Sequence, residues 1–120
     1  MNDAFFRDKK VVITGGSSGL GRAMALELAR RGARVVIVAR GEAALRRVAE
    51  AGGGRILAVA GDVSDKAQIH PIAGQALAWL GGVDLLVNGA SELGPTPLRL
   101  LVDTECEDFD RVLQTNLVGP

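Results

Sequence analysis

The chain contains one cysteine, one histidine and no tyrosine among its 120 residues, and only 3% of its residues are aromatic. The single thiol, Cys106, excludes an intramolecular disulfide and a multi-thiolate metal site. We therefore predict no metal site and expect Cys106 to be a small packing residue on a helix face. The lone histidine, His70, is predicted to be a solvated surface residue.

The chain also lacks an excess of charge of either sign. Lysine plus arginine number 14, and aspartate plus glutamate also number 14. A basic surface for nucleic acid is therefore not predicted. The first residues contain acids and no long apolar run, which argues against a signal peptide or a membrane span. We expect a cytoplasmic protein that binds neither nucleic acid nor a membrane.

What the chain does have is an alternation of short β-branched runs with longer segments of helical periodicity. Four strands are predicted, at Val11–Thr14, Arg34–Ala39, Ile56–Ala60 and Val83–Val87. Because each strand is followed by a helical segment before the next, the strands are expected to be parallel and joined by crossovers. The chain is therefore predicted to have an α/β fold.

Four helices are predicted between and after these strands. The first carries an apolar stripe at Leu20, Met24 and Leu28 and ends at Gly32, and the second spans Glu42–Ala51. The third is expected to be capped by Ser64 and to kink or restart near Pro71. A capping box, Thr104-Glu105-Cys106-Glu107, is predicted to open the fourth.

The segment between the first strand and the first helix reads TGGSSGLG, from Thr14 to Gly21. Glycines at such a turn allow backbone angles closed to other residues and let a pyrophosphate approach the main chain without meeting a Cβ. The amides that open the helix, assisted by its dipole, would face the anion. The predicted phosphate-binding residues are Thr14, Gly15, Ser17, Ser18, Gly19, Leu20 and Gly21. The alternative is a glycine-rich connection that binds nothing.

This turn resembles the TGxxxGxG motif of the short-chain dehydrogenase/reductase family. Three further stretches are similar to that family's patterns: GDV at 61–63, DLLVNGA at 84–90 and TNLVG at 115–119. The resemblance covers the amino-terminal half of such an enzyme. It implies a Rossmann-type doubly wound parallel sheet of strand order 3-2-1-4, truncated before the second half. Residues 1–120 would form its NADP(H)-binding domain.

The end of the second strand bears on the choice of cofactor. An NAD site normally has an acid there for the adenosine ribose hydroxyls, whereas this chain has Ala39-Arg40. A guanidinium suits the 2′-phosphate of NADP. In related NADP-preferring reductases an Arg at this position binds that phosphate, and Ser18 occupies a position that often helps. We expect NADP(H) rather than NAD(H). The alternatives are that Arg40 is an ordinary loop charge and that Glu42 serves a ribose.

The resemblance implies roles for the residues after the third and fourth strands. Asp62 would accept a hydrogen bond from the adenine amino group, and Val63 would offer its amide to the ring. An acid near a helix cap is the alternative for Asp62. Asn88, Gly89 and Ala90 would lie beside the adenosine ribose, although this chain reads Asn-Gly-Ala-Ser where the family has Asn-Asn-Ala-Gly.

Asn116 matches the one position of this segment with a catalytic association, a helix Asn whose main chain holds a water used in proton relay. Its alternative is a polar residue near a helix end. The family's proton donor is the Tyr of a Y-x-x-x-K motif, and no tyrosine is present. The complete enzyme would transfer a hydride between NADP(H) and a small carbonyl or alcohol, but this chain alone is predicted to be inactive.

Two further expectations follow from the resemblance. A non-catalytic dinucleotide-binding module or redox sensor is the alternative function, since it would keep the glycine turn and need no Tyr. A truncated fragment would also leave Leu98, Leu100, Leu101 and the apolar face of the fourth helix without partners. We therefore expect a homo-oligomer.

Overall fold

The computed structural model describes residues 3–91, 96–97 and 99–120, and it confirms the predicted α/β fold. The strands and helices are β1 (Lys10–Thr14), α1 (Gly19–Arg30), β2 (Arg34–Ala39), α2 (Glu42–Ala51), β3 (Ile56–Ala60), α3 (Lys66–Leu80), β4 (Leu85–Asn88) and α4 (Cys106–Leu113). A π-helical turn, Gln114–Val118, follows α4 directly. None of the helices in the described part of the chain is long and apolar enough to span a membrane.

The four strands form one parallel sheet in the order β3-β2-β1-β4, which confirms the predicted order. Ile13 of β1 lies opposite Ile37 of β2 on one side and opposite Val87 of β4 on the other. Because all strands run in the same direction, the loops after their carboxyl ends converge at one edge of the sheet. Ligands of open α/β sheets bind at this edge, where the strand order reverses.

Successive residues of β1 and β2 point to opposite faces of the sheet and build two apolar clusters. The cluster beneath α1 and α2 contains Val11, Ile13, Ala25, Leu28, Ala29, Ala33, Val35, Ile37, Leu45, Val48 and Ile56. The cluster beneath α3 contains Val12, Val36, Val38, Val59, Ala76 and Leu80. The unbroken apolar runs of these two strands follow from this burial on both faces.

The structure corrects two predictions about α3. Asp65, not Ser64, caps the helix, because its carboxylate accepts a hydrogen bond from the Ala67 amide at 3.0 Å. The helix also continues through Pro71, so it does not restart there, and the kink that was the other expectation stays a prediction. Proline removes one intrahelical donor, and the packing of Ala76 and Leu80 against the sheet holds the rest of the helix in place.

The predictions for the segment around α4 were also partly wrong. Glu105 occupies the N-cap position without a side-chain capping bond, and the Thr104 hydroxyl instead donates to the Leu100 carbonyl at 3.0 Å. There is therefore no capping box. Cys106 is exposed at the start of α4 and does not pack against the core. β4 begins at Leu85 rather than at Val83.

Candidate functional site

A cavity of about 710 Å³ lies at the carboxyl edge of the sheet. This volume falls within the range of small-molecule sites in proteins. Four segments that are distant in sequence meet there, one after each strand. All but one of the predicted cofactor-binding residues line it, namely Gly15, Ser17, Ser18, Gly19, Leu20, Gly21, Arg40, Asp62, Val63, Asn88, Gly89 and Ala90. The exception is Thr14.

The glycine turn packs so closely against other backbone that a Cβ is excluded by backbone atoms at two of its positions. Gly15 has a φ of 76°, and a Cβ added to it would lie 2.5 Å from the Gly89 carbonyl oxygen. A Cβ on Gly21 would collide with the Gly15 carbonyl oxygen. Real Cβ atoms do not approach backbone this closely, and φ near 76° is a glycine conformation. The turn after β1 is thus held against the turn after β4.

The amino terminus of α1 opens onto the cavity. Ser18 is the N-cap residue, and its side chain makes no capping hydrogen bond. The first amides of a helix have no intrahelical partner, and the positive end of the helix dipole favours an anion beside them. Leu20, the first residue of the predicted apolar stripe, is 77% exposed and lines the cavity. The buried side chains of α1 include Ala25 and Leu28 instead.

Thr14 does not line the cavity, but it forms hydrogen bonds with residues that do. Its hydroxyl oxygen accepts hydrogen bonds from the Gly89 amide at 3.2 Å and the Ala90 amide at 3.3 Å. The Gly89 amide also donates to the Thr14 carbonyl at 3.0 Å. Thr14 therefore connects the turns after β1 and β4, which explains a threonine at this position without any contact to a ligand.

Asp62 follows β3 and carries an ionised carboxylate. Its Oδ1 accepts hydrogen bonds from the Ser64 hydroxyl at 2.6 Å and the Ser64 amide at 2.9 Å. The hydroxyl bond is the main cause that lowers the pKa of Asp62; burial opposes it, and the Ser64 amide and the charge of Arg40 lower the pKa further. An ionised carboxylate only accepts hydrogen bonds. The Val63 amide makes no hydrogen bond within the described part of the chain.

Arg40 lies just after β2, on the wall of the cavity. Within residues 3–91, 96–97 and 99–120 it forms no ion pair, although its charge acts on Asp62. Glu42, the alternative ribose partner, does not line the cavity, and its carboxylate pairs with Arg46 at 3.0 Å. The cation available to a ligand at this end of β2 is therefore Arg40, and the nearby acid is already paired.

The sequence analysis missed the buried polar residue that lines the cavity in the described part of the chain. Thr115 is 6% exposed and lines the cavity, whereas its neighbour Asn116 is exposed and does not line it. Both lie in the π-helical turn after α4. Thr115 precedes Asn116 in the TNLVG stretch, but a helical period of 3.6 residues could not predict its direction, because a π turn changes that period.

The sequence matches the family model described as short chain dehydrogenase over residues 9–120. It is 40% identical over 125 residues to an uncharacterized oxidoreductase of Mycobacterium tuberculosis, covering 99% of this chain and 36% of that protein. It is 35% identical over 118 residues to glucose 1-dehydrogenase of Gluconobacter oxydans, covering 95% of this chain and 43% of that protein.

A solved structure is similarly close. The crystal structure of 3-ketoacyl-(acyl-carrier-protein) reductase from Brucella melitensis, complexed with NADH, superposes with a TM-score of 0.89 and 41% sequence identity. The match covers 95% of this chain and 46% of that chain. The chain thus spans less than half the length of each of these three relatives.

Proposed function

Because the chain belongs to the short chain dehydrogenase family, whose members are oxidoreductases, we propose that it forms the NADP(H)-binding part of such an enzyme. The observation that carries this proposal is Arg40, a guanidinium that lines the cavity and has no ion pair in the described chain. A guanidinium binds a phosphate through two charge-assisted hydrogen bonds. No carboxylate follows β2 directly to repel that phosphate.

The residues of the cavity fit a dinucleotide. Gly15 and Gly21 leave the main chain open where a Cβ would fill the turn, and the first amides of α1 would bind a pyrophosphate. The ionised Asp62 would accept a hydrogen bond from an adenine amino group. Asn88 would lie beside the adenosine ribose. When bound, the nicotinamide supplies hydride transfer to or from a carbonyl or alcohol carbon.

The chain's own residues bind and orient this cofactor, and we propose that they do no more. Reduction of a carbonyl also requires a proton for its oxygen. The Tyr that donates this proton in the family has no counterpart here, because the sequence contains no tyrosine. Asn116 retains a part in proton relay only alongside that Tyr. The 120-residue chain alone would therefore bind NADP(H) without turnover.

The alternative is a non-catalytic dinucleotide-binding module or redox sensor, which would keep the glycine turn and need no Tyr. An oxidoreductase and a sensor would differ in whether a longer polypeptide containing this segment reduces a carbonyl compound. An oxidoreductase would reduce a small carbonyl compound with NADPH when the segment is joined to a Y-x-x-x-K motif. A sensor would bind the cofactor and reduce nothing.

Calorimetric titration of the chain with NADPH and NADH tests the cofactor assignment. We expect NADPH to bind at least about tenfold more tightly, because one charge-assisted contact is worth 1.5–3 kcal/mol. The NADH in the Brucella melitensis structure makes this comparison necessary. Equal affinities would contradict the assignment to NADP(H), and binding of neither dinucleotide would contradict the function as a whole.

A further inference from the structure

A small pocket between α1 and α2 adjoins the cavity of the candidate functional site. It measures about 130 Å³. Ser17 of the glycine turn lines both, and among the described residues it is the one that they share. Arg40 does not line the small pocket. Its other wall residues are two arginines and four apolar residues, namely Arg22, Leu26, Ala44, Arg47, Val48 and Ala51.

The wall of this pocket carries two positive charges and, among the described residues, no negative one. Arg22 and Arg47 supply the charges, and neither side chain forms an ion pair or a hydrogen bond within residues 3–91, 96–97 and 99–120. The Ser17 hydroxyl likewise has no hydrogen-bond partner in that part of the chain. Three residues whose side chains have unused hydrogen-bond donors thus line one small space.

The carboxylates of α1 and α2 do not neutralise the two arginines. Glu27 of α1 is paired with two arginines of its own helix end, and Glu42 of α2 is paired with Arg46. Glu50, the other acid of α2, does not line the pocket. Two like charges in one pocket repel each other, and an anion between them would remove that repulsion.

We propose that Arg22 and Arg47 form a second anion site, which binds the phosphate group of a small phosphomonoester separate from the dinucleotide. Each guanidinium can donate charge-assisted hydrogen bonds to phosphate oxygens, and the Ser17 hydroxyl can donate another. The pocket is smaller than the sites of drug-sized ligands, so it suits one phosphate group rather than a whole nucleotide. The site goes beyond the proposed function, since binding of the cofactor does not use either arginine.

Titration of the chain with inorganic phosphate, and with methyl phosphate as the simplest phosphomonoester, tests the site. In ¹H–¹⁵N spectra the guanidinium Nε resonances of Arg22 and Arg47 should shift with the same saturable dependence on the concentration of either ligand. The ionic strength is held constant with sodium chloride, because salt screens exposed charges. Shifts that do not saturate, or that are confined to the amides at the start of α1, would overturn the inference.

Two consecutive arginines supply a matched pair of exposed variants. Arg47→Gln should raise the dissociation constant for phosphate at least about threefold, because it removes a charge-assisted contact at an exposed site. Arg46→Gln removes the same charge one residue earlier, where the side chain is paired with Glu42 outside the pocket, and should leave the affinity unchanged. Equal weakening by the two variants would mean that phosphate follows the general surface charge, and the inference would be wrong.

Phosphate titration in the presence of saturating NADPH separates this site from the proposed cofactor site. Arg22 and Arg47 should respond to phosphate as before, since neither residue lines the larger cavity. Loss of the response would mean that the dinucleotide's own phosphate occupies the pocket, which overturns the inference and leaves the proposed function intact. A chain that bound phosphate through these arginines but did not bind NADPH would contradict the proposed function alone.

Discussion

The two central strands, β1 and β2, are covered by other parts of the protein more completely than the edge strand β4. Ile13 and Ile37, on β1 and β2, have no exposed surface, whereas Leu85 and Leu86 on β4 are 41% and 55% exposed. β1 and β2 have a strand on each side and helices on both faces. β4 has one neighbouring strand. The β4 region is defined here as residues 83–91, 96–97 and 99–120. Among its described side chains, Thr115 is the one that is buried.

An apolar cavity marks the boundary between these two regions. It measures about 370 Å³ and lies between α3, β4 and the residues after the π turn, with Leu77 and Leu86 in its wall. The cavity of the candidate functional site extends over both regions, because the glycine turn and Arg40 follow the covered strands and Asn88 belongs to β4. The stability of the fold is therefore expected to depend mainly on β1 and β2, whereas binding of the proposed cofactor is expected to depend on residues from both regions.

The largest expected effect is on stability. Ile37→Ala should lower the free energy of unfolding by about 2–5 kcal/mol, because it removes a fully buried side chain and leaves a void. Leu86→Ala, a matched truncation on the exposed edge, should cost less than about 1 kcal/mol. Urea denaturation of both variants measures the difference. Similar losses would mean that β4 is covered as well as β2.

The second effect concerns cofactor selectivity, which we assign to the covered region. Arg40→Ala should weaken NADPH binding by about 10- to 150-fold while leaving NADH almost unchanged, because the lost contact is charge-assisted and addresses only the 2′-phosphate. Arg46→Ala is the control, since Arg46 is exposed and paired with Glu42 outside the cavity. Equal weakening of both dinucleotides in calorimetry would make Arg40 a structural residue.

The third effect concerns self-association through the β4 region, where exposed apolar side chains include Leu86, Leu100 and Leu117. Leu98, which the sequence analysis also assigned to this surface, lies outside the described residues. Leu86→Lys should raise the dissociation constant of a homo-oligomer about tenfold, since a charge on an apolar edge opposes association. Ala43→Lys adds the same charge to α2 as a control. Sedimentation showing a monomeric wild type at micromolar concentration would contradict this prediction.

The smallest effect concerns Asp62, whose pKa is lowered mainly by the Ser64 hydroxyl. A carboxyl with a lowered pKa in the folded state stabilises the protein above its unfolded pKa, and that stabilisation is lost as the pH falls through the folded pKa. Wild type should therefore lose more stability than Asp62→Asn as the pH is lowered from about 5 through the acid range, by less than about 1 kcal/mol at this half-buried site. Thermal melting across this range measures it. Parallel pH profiles would exclude the contribution.

Much of the fold was predictable because its signals are local. A strand buried on both faces must be apolar at every position, so β1 and β2 stand out as continuous runs such as Val35-Val36-Ile37-Val38. The glycine turn was equally readable, since a close approach of backbone to backbone admits no other residue. The strand order 3-2-1-4, which the family resemblance implied, was also confirmed.

Helix ends were less predictable, because several polar residues compete for the same amides. Ser64 and Asp65 are both good caps by residue type. The choice fell to Asp65 since Ser64 donates to Asp62 instead. Before α4, the Thr104 hydroxyl donates to the Leu100 carbonyl of its own loop instead of capping the helix. These bonds depend on how the chain enters each helix, which composition does not specify.

By itself, the sequence determined the approximate positions of the strands, their parallel direction and the segments that carry the candidate site. Only the tertiary structure decided which side chains those segments bring together. Thr14 reaches the amide of Gly89, 75 residues away, and a π turn directs Thr115 into the cavity while exposing Asn116. The reason is physical: periodicity reports the local direction of a side chain, whereas its partner comes from a distant segment whose position the packed sheet sets.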